Sequence, residues 1–144
     1  MARINLTHRH RLRIIYAQTD RMNVVYYSRY YEFFEAARSA LLRRIQVPYA
    51  QLEREGYLLP VVESHCRYHQ SATFEDLLVI ESHLEDEPLV KLRIAYQVFK
   101  EGHTAPIVTG YTVHSFVNRV MKPVRAPEFF LAGLRKYAGQ VLED

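Results

Sequence analysis

Residues 16–30 read Tyr-Ala-Gln-Thr-Asp-Arg-Met-Asn-Val-Val-Tyr-Tyr-Ser-Arg-Tyr and set one carboxylate, Asp20, in a loop shortly before a long helical pattern. An ionised aspartate only accepts hydrogen bonds, so in such a place it can attack a carbonyl carbon or hold a water as general base. It can equally be a turn or capping aspartate, and the residue alone leaves both readings open. Backbone N–H groups at the start of the following helix, near Tyr27 and Ser28, carry the positive end of the helix dipole and suit the polarisation of a carbonyl oxygen.

Other chemistries lack their signatures. No Gly-x-Ser-x-Gly elbow, phosphate loop, His-Glu-x-x-His or Gly-x-Gly-x-x-Gly occurs, so serine-hydrolase, nucleotide-phosphate and zincin readings lose their support. Seven histidines are many for 144 residues, and His8/His10 and His65/His69 each share a strand face. A metal needs further ligands converging on one point, so these are read as solvated or hydrogen-bonded side chains, with no metal and no resident cofactor. Cys66, the one cysteine, excludes an intrachain disulfide and reads as a small buried residue in a reducing compartment. The arginines of the first strand have no interleaved aromatics in a nucleic-acid-binding pattern, and no nucleic acid is expected as partner.

The elements that must position Asp20 follow from periodicity. A strand is predicted over about His8 to Tyr16, with His10, Leu12, Ile14 and Tyr16 on one face and Arg9, Arg11 and Arg13 on the other. After the loop comes a helix over about Ser28 to Ile45. Its apolar stripe runs through Tyr30, Phe33, Phe34, Ala37, Leu41 and Ile45, widened by Ala36, Ala40 and Leu42, which predicts a deeply buried helix. Pro48 and Gly56 bracket a short helix from Tyr49 to Glu55. Strands are then predicted at Leu59 to Gln70, Leu77 to Glu85, Leu89 to Lys100 and Ile107 to Asn118, the last two joined by a Glu101-Gly102-His103 hairpin, with antiparallel neighbours. A helix from Pro127 to about Tyr137 closes the chain. This order is α+β, one sheet covering one very apolar helix.

The length of 144 residues and the 49% apolar content suit a single domain spanning residues 1–144. A net charge of +3 names no partner by itself. Residues 1–13 carry charge throughout, without the apolar stretch of a secretory signal, and the longest apolar run, Tyr57 to Val62, is far short of a bilayer span. A cytoplasmic protein without a membrane span is expected.

The loop and helix, continuing Tyr31-Glu-Phe-Phe-Glu-Ala-Ala-Arg38, together with Leu59-Pro-Val-Val-Glu63 and Ser71-Ala-Thr-Phe-Glu-Asp76-Leu-Leu-Val-Ile-Glu81, resemble the 4-hydroxybenzoyl-CoA thioesterase family of hotdog-fold proteins, which includes the Tol-Pal-associated acyl-CoA thioesterases. The resemblance covers about Arg11 to Asn118. It implies an antiparallel sheet wrapped around one long central helix, and hydrolysis of an acyl- or aroyl-CoA to free acid and coenzyme A. The family's catalytic carboxylate corresponds to Asp20. Tyr27 would contribute its backbone N–H, and Val25, Tyr26, Ser28 and Tyr30 would surround the acyl group. Gln18 stands where the family often has Asp, Asn23 where Gly is usual, and Tyr27 where the Tol-Pal-associated enzymes have His; an aromatic residue there tilts the substrate away from short aliphatic acyl groups.

Coenzyme A brings phosphates, for which Lys91, Arg93, Lys122 and Arg125 are candidates by position. The family further implies a homodimer joining two sheets into one, commonly paired again into a homotetramer, an inference consistent with the pairing capacity of an open sheet edge. Two alternatives share the fold: an acyl-carrier-protein thioesterase of fatty acid or polyketide synthesis, and a non-catalytic acyl-CoA binder. An intact Asp20 argues against the second, since a binder needs no carboxylate beside a thioester.

Overall fold

A computed structural model describes residues 2–144. Six strands form one sheet: β1 (Arg3–Arg13), β2 (Val61–Tyr68), β3 (Leu77–Asp86), β4 (Lys91–Lys100), β5 (Val108–Ser115) and β6 (Val141–Glu143), in the spatial order β2-β5-β4-β3-β1-β6. Three helices accompany it: α1 (Arg29–Arg44), α2 (Tyr49–Arg54) and α3 (Glu128–Lys136). The architecture is α+β. No helix among the described residues is long and apolar enough to cross a membrane.

Period-two alternation divides the sheet into two faces. On β4, Leu92, Ile94, Tyr96 and Val98 are buried while Lys91, Arg93 and Gln97 are exposed. The outward arginines of β1 meet carboxylates on neighbouring strands, Arg9 on Glu81 at 3.0 Å and Arg11 on Glu143 at 2.8 Å. Such surface pairs add about 0–1 kcal/mol each and serve mainly to keep the outer face soluble.

The inner face receives α1. Tyr30, Phe33, Phe34, Ala37, Arg38, Ala40, Leu41 and Leu42 are buried, with Ser28 and Ile45 as the flanking caps. Ala36, expected to widen the buried stripe, is exposed. The helix crosses the strands in turn. Tyr30 meets Tyr68 of β2 with ring centroids 5.6 Å apart, Phe34 stacks on Tyr96 of β4 at 4.3 Å, and Arg44 donates to the Glu143 carbonyl of β6 at 3.1 Å. Gly110 of β5 makes the crossing possible, because a Cβ there would lie 3.0 Å from the Phe34 ring and 2.4 Å from the His65 carbonyl oxygen.

Three features depart from the sequence expectation. The first strand begins at Arg3, since Ile4 and Leu6 continue the inward alternation. It ends at Arg13, and Tyr16 opens a 3-10 turn, so its ring leaves the inner face and is exposed. The short strand β6 pairs parallel with β1, against the expectation of antiparallel neighbours throughout. With three residues and only Leu142 buried, it offers no period to read.

A directed hydrogen-bond chain is buried between α1 and the sheet. Arg38 donates through Nε to the Tyr49 hydroxyl at 2.6 Å and through Nη1 to the Tyr96 hydroxyl at 3.1 Å. Tyr96 reaches Thr112 Oγ1 at 2.8 Å, and Thr112 reaches His114 Nε2 at 2.9 Å. His114 Nδ1 faces the Leu59 carbonyl at 3.1 Å. An arginine only donates and a carbonyl only accepts, so Nδ1 carries the proton shared with Leu59; with a neutral imidazole Nε2 then accepts from Thr112, and Thr112 accepts from Tyr96.

His114 is neutral at pH 7. Burial, followed by the charge of Arg38, pushes its imidazole down to about 4 from an ordinary 6.5. The unfolded chain binds a proton below pH 6.5, so stability present above that pH drains away as pH falls towards about 4, by roughly 3 kcal/mol in all. His8, also pushed down chiefly by burial, acts in the same direction. Urea denaturation of wild type and His114→Gln across this range should show the steeper acid loss in wild type; equal losses would remove His114 as a cause.

Candidate active site

The Asp20 loop is a small hairpin held at every corner. Thr19 and Val25 form a β-bridge, and Asp20 N–H donates to the Val24 carbonyl at 2.9 Å. At the tip Met22 N–H donates to Asp20 Oδ1 at 2.8 Å and Asn23 N–H to the Asp20 carbonyl at 3.0 Å, while Asn23 takes the left-handed φ of 65° that its short polar side chain tolerates. Gln18 closes the preceding 3-10 turn, its Oε1 accepting from Ile15 N–H at 2.9 Å.

The segment before β3 pins this hairpin from outside. Val25 N–H donates to the Ala72 carbonyl at 2.8 Å and Thr73 Oγ1 donates to the Asn23 carbonyl at 2.7 Å. Asp76 in turn holds Thr73 N–H at 2.9 Å. The two sequence blocks singled out above thus meet in space, the second buttressing the first.

Asp20 opens on a hollow of about 560 Å³, lined also by Met22, Val24, Val25, Tyr26, Tyr27, Tyr30, Tyr68, His69, Gln70 and Ser71. Beside Asp20 and His69 the lining side chains are aliphatic, thioether, phenol, amide and hydroxyl groups. Four tyrosines crowd it: Tyr26 on Tyr27 at 4.7 Å, Tyr68 on Tyr27 at 6.3 Å and on Tyr30 at 5.6 Å between ring centroids. Burial pushes the Tyr30 phenol up to about 12. Burial likewise raises the neighbouring Cys66 thiol, which stays protonated and unreactive at neutral pH.

The start of α1 is open. Ser28 makes no side-chain capping bond, although serine is a favoured cap, and its own φ and ψ of −70° and −18° are already helical. Arg29 N–H is used by the Tyr26 carbonyl at 2.9 Å, but among the described residues the Tyr27 and Ser28 N–H groups have no protein acceptor. An acceptor-only carboxylate and two uncommitted donors at a helix start therefore lie within one short stretch of chain.

Asp20, Val25, Tyr26, Tyr27 and Tyr30 all line the hollow. Ser28 does not line it and contributes the adjoining peptide. Lys91 lies on the outer face of the sheet beside His83, Glu87 and Arg93, and Arg125 is exposed in the segment between β5 and α3; neither lines the hollow. Sequence reasoning did not assign Met22, Val24, Tyr68, His69, Gln70 or Ser71 to the site. Tyr68 shares an alternating face with Cys66 on β2, a signal that marks it as facing α1 but not as reaching the loop.

Residues 16–134 match the thioesterase-like superfamily, and the chain belongs to it. This is a superfamily of hotdog-fold thioester hydrolases. Over 118 residues, covering 78% of this chain and 81% of the relative, the sequence is 29% identical to the 1,4-dihydroxy-2-naphthoyl-CoA hydrolase of Picosynechococcus sp.. Over 76 residues, 52% of this chain and 56% of the relative, it is 36% identical to the acyl-CoA thioesterase YbgC of Haemophilus influenzae. The structure of the DHNA-CoA thioesterase of Staphylococcus aureus is similar with a TM-score of 0.80 at 25% identity, covering 87% of this chain and 84% of that one.

The hairpin tip makes a measurable demand on residue 23. Asn23→Gly should leave the urea midpoint almost unchanged, whereas Asn23→Val forces a β-branched residue into the left-handed region and should cost about 1–2 kcal/mol. Equal stability of the two variants would show that the tip relaxes freely.

Proposed function

We propose that this protein is an acyl-CoA thioesterase that hydrolyses an acyl- or aroyl-CoA to the free acid and coenzyme A. The supporting observation is the placement of the Asp20 carboxylate and the uncapped start of α1 around one hollow. With the thioester carbonyl oxygen at the Tyr27 and Ser28 N–H groups, charge developing on that oxygen is stabilised by donors already in place. Asp20 takes a proton from water as the water oxygen bonds to the carbonyl carbon, or attacks that carbon itself to give a mixed anhydride that water then opens. In either route the C–S bond breaks, the sulfur leaves as thiolate and a proton returns to it.

The four tyrosines and Val25 favour an aromatic or other bulky acyl group over a short aliphatic one, in keeping with the naphthoyl substrate named for one relative. The kinship proposed within the superfamily is with 4-hydroxybenzoyl-CoA thioesterases, and the architecture is read as the sheet curling around α1 as central helix. Outermost β2 has an open edge and exposes Val61, Val62 and Tyr68. That edge suits pairing with a second copy to give a dimer, or a tetramer of two dimers. A free Cys66 thiol fits a cytoplasmic setting.

Thiol release from a panel of acyl-CoA and acyl-carrier-protein thioesters tests the function, with CoA esters preferred. Asp20→Asn, nearly isosteric, should lower kcat at least ~100-fold without loss of folding. Light scattering on the active sample should give a multiple of 17.0 kDa. A folded Asp20→Asn variant within a few fold of wild type would remove Asp20 from the mechanism, and an active monomer would refute the assembly.

A further inference from the structure

The Tyr68 hydroxyl donates a 3.0 Å hydrogen bond to the Tyr27 carbonyl, joining the edge strand β2 to the residue before the α1 cap. That carbonyl belongs to the same peptide plane as the Ser28 N–H, one of the two donors without a protein acceptor. No peptide bond among the described residues is cis, so C=O and N–H point in opposite directions across a rigid plane. Fixing one fixes the other. The bond also polarises the peptide, since a carbonyl that accepts a hydrogen bond makes its own N–H a stronger donor.

The helix alone holds this peptide weakly. Tyr27 C=O accepts from Tyr30 N–H at 3.4 Å, and the following Ser28 C=O from Tyr31 N–H at 3.2 Å, both long, while Ser28 supplies no capping bond. Tyr68 itself is well placed to act as a stay. Its ring is held edge-on against both Tyr27 and Tyr30, and its hydroxyl neighbours the Cys66 thiol, which burial keeps protonated. Because a carbonyl only accepts, the hydroxyl keeps its proton on the Tyr27 side.

We infer that Tyr68 is a positioning residue for this site: its hydroxyl locks the Tyr27–Ser28 peptide and so sets the aim and strength of the Ser28 N–H that meets the thioester oxygen. The inference rests on the thioesterase reading above. It separates two roles of one side chain, the ring as wall of the hollow and the hydroxyl as orienter of a donor it never shares with substrate.

Tyr68→Phe keeps the ring and removes only the hydroxyl. For an aroyl-CoA that wild type hydrolyses, kcat should fall roughly 10-fold, less than the loss of a direct oxyanion donor, with KM held within about 2-fold. Affinity for a CoA thioether lacking the carbonyl should be the same in both proteins, and the melting temperature should move by no more than about 2 °C. Tyr68→Leu, which also removes the wall, should raise KM as well. An unchanged kcat in Tyr68→Phe, or a rise in KM with kcat intact, overturns the inference while leaving the thioesterase reading standing. Wild-type protein that releases thiol from no thioester overturns both.

Discussion

Phe34 lies flat on Tyr96, with ring planes 4° apart, over a strand position where only the hydrogen of Gly110 fits. This contact docks α1 on the sheet, and the proposed site depends on where α1 then begins. A helix free to slide by one turn would carry its first peptide about 5 Å from the Asp20 hairpin. Arg38, one turn further along, locks the same register by reaching the hydroxyl of Tyr96 and that of Tyr49 of α2. Replacing Phe34 by alanine would forfeit about 3–5 kcal/mol of packing, and with it the alignment of helix start and loop.

Given that docking, the site is a matter of what is left unsatisfied. Most helix starts spend their first N–H groups on a cap, but Ser28 does not cap, and among the described residues the Tyr27 and Ser28 donors have no protein acceptor. The opposite charge is supplied by Asp20, whose hairpin is over-determined by Asn23, Thr73 and Ala72. In the proposed reaction both partners are held by ordered backbone, so little reorganisation would be required as charge develops on the carbonyl oxygen. On the same proposal the aromatic walls would supply apolar surface to seat an acyl group.

Much of this was legible in the residues. The apolar stripe gives a helix over about Ser28 to Ile45, one residue beyond α1 at each end, and the alternation of Val90 to Val98 gives β4 with its hairpin to β5, because both patterns are long and regular. Asp20, Val25, Tyr26, Tyr27 and Tyr30 are neighbours in sequence and remain neighbours around the hollow. What failed depends on chain pairing at a distance. Neither the three-residue β6 nor the reach of Tyr68 to Tyr27 across 41 positions leaves a periodic trace. Lys91 shows the same limit: its strand was readable, but its face, turned away from α1, sets it outside the hollow. Tyr16 escaped for a local reason, since the 3-10 turn closed by Gln18 interrupts an alternation that the residue types alone would continue.

The most direct test of the central claim observes the helix-start donors themselves. In a folded, inactive Asp20→Asn protein labelled with nitrogen-15, amide spectra recorded with and without a ketone analogue of an aroyl-CoA, a methylene replacing the sulfur, report which N–H groups bind the carbonyl oxygen. Large downfield proton shifts of the Tyr27 and Ser28 amides, exceeding those of other residues lining the hollow, are the expected result. Saturating binding that leaves these two amides unmoved, with the largest downfield shifts elsewhere, would contradict it and place the carbonyl away from the start of α1.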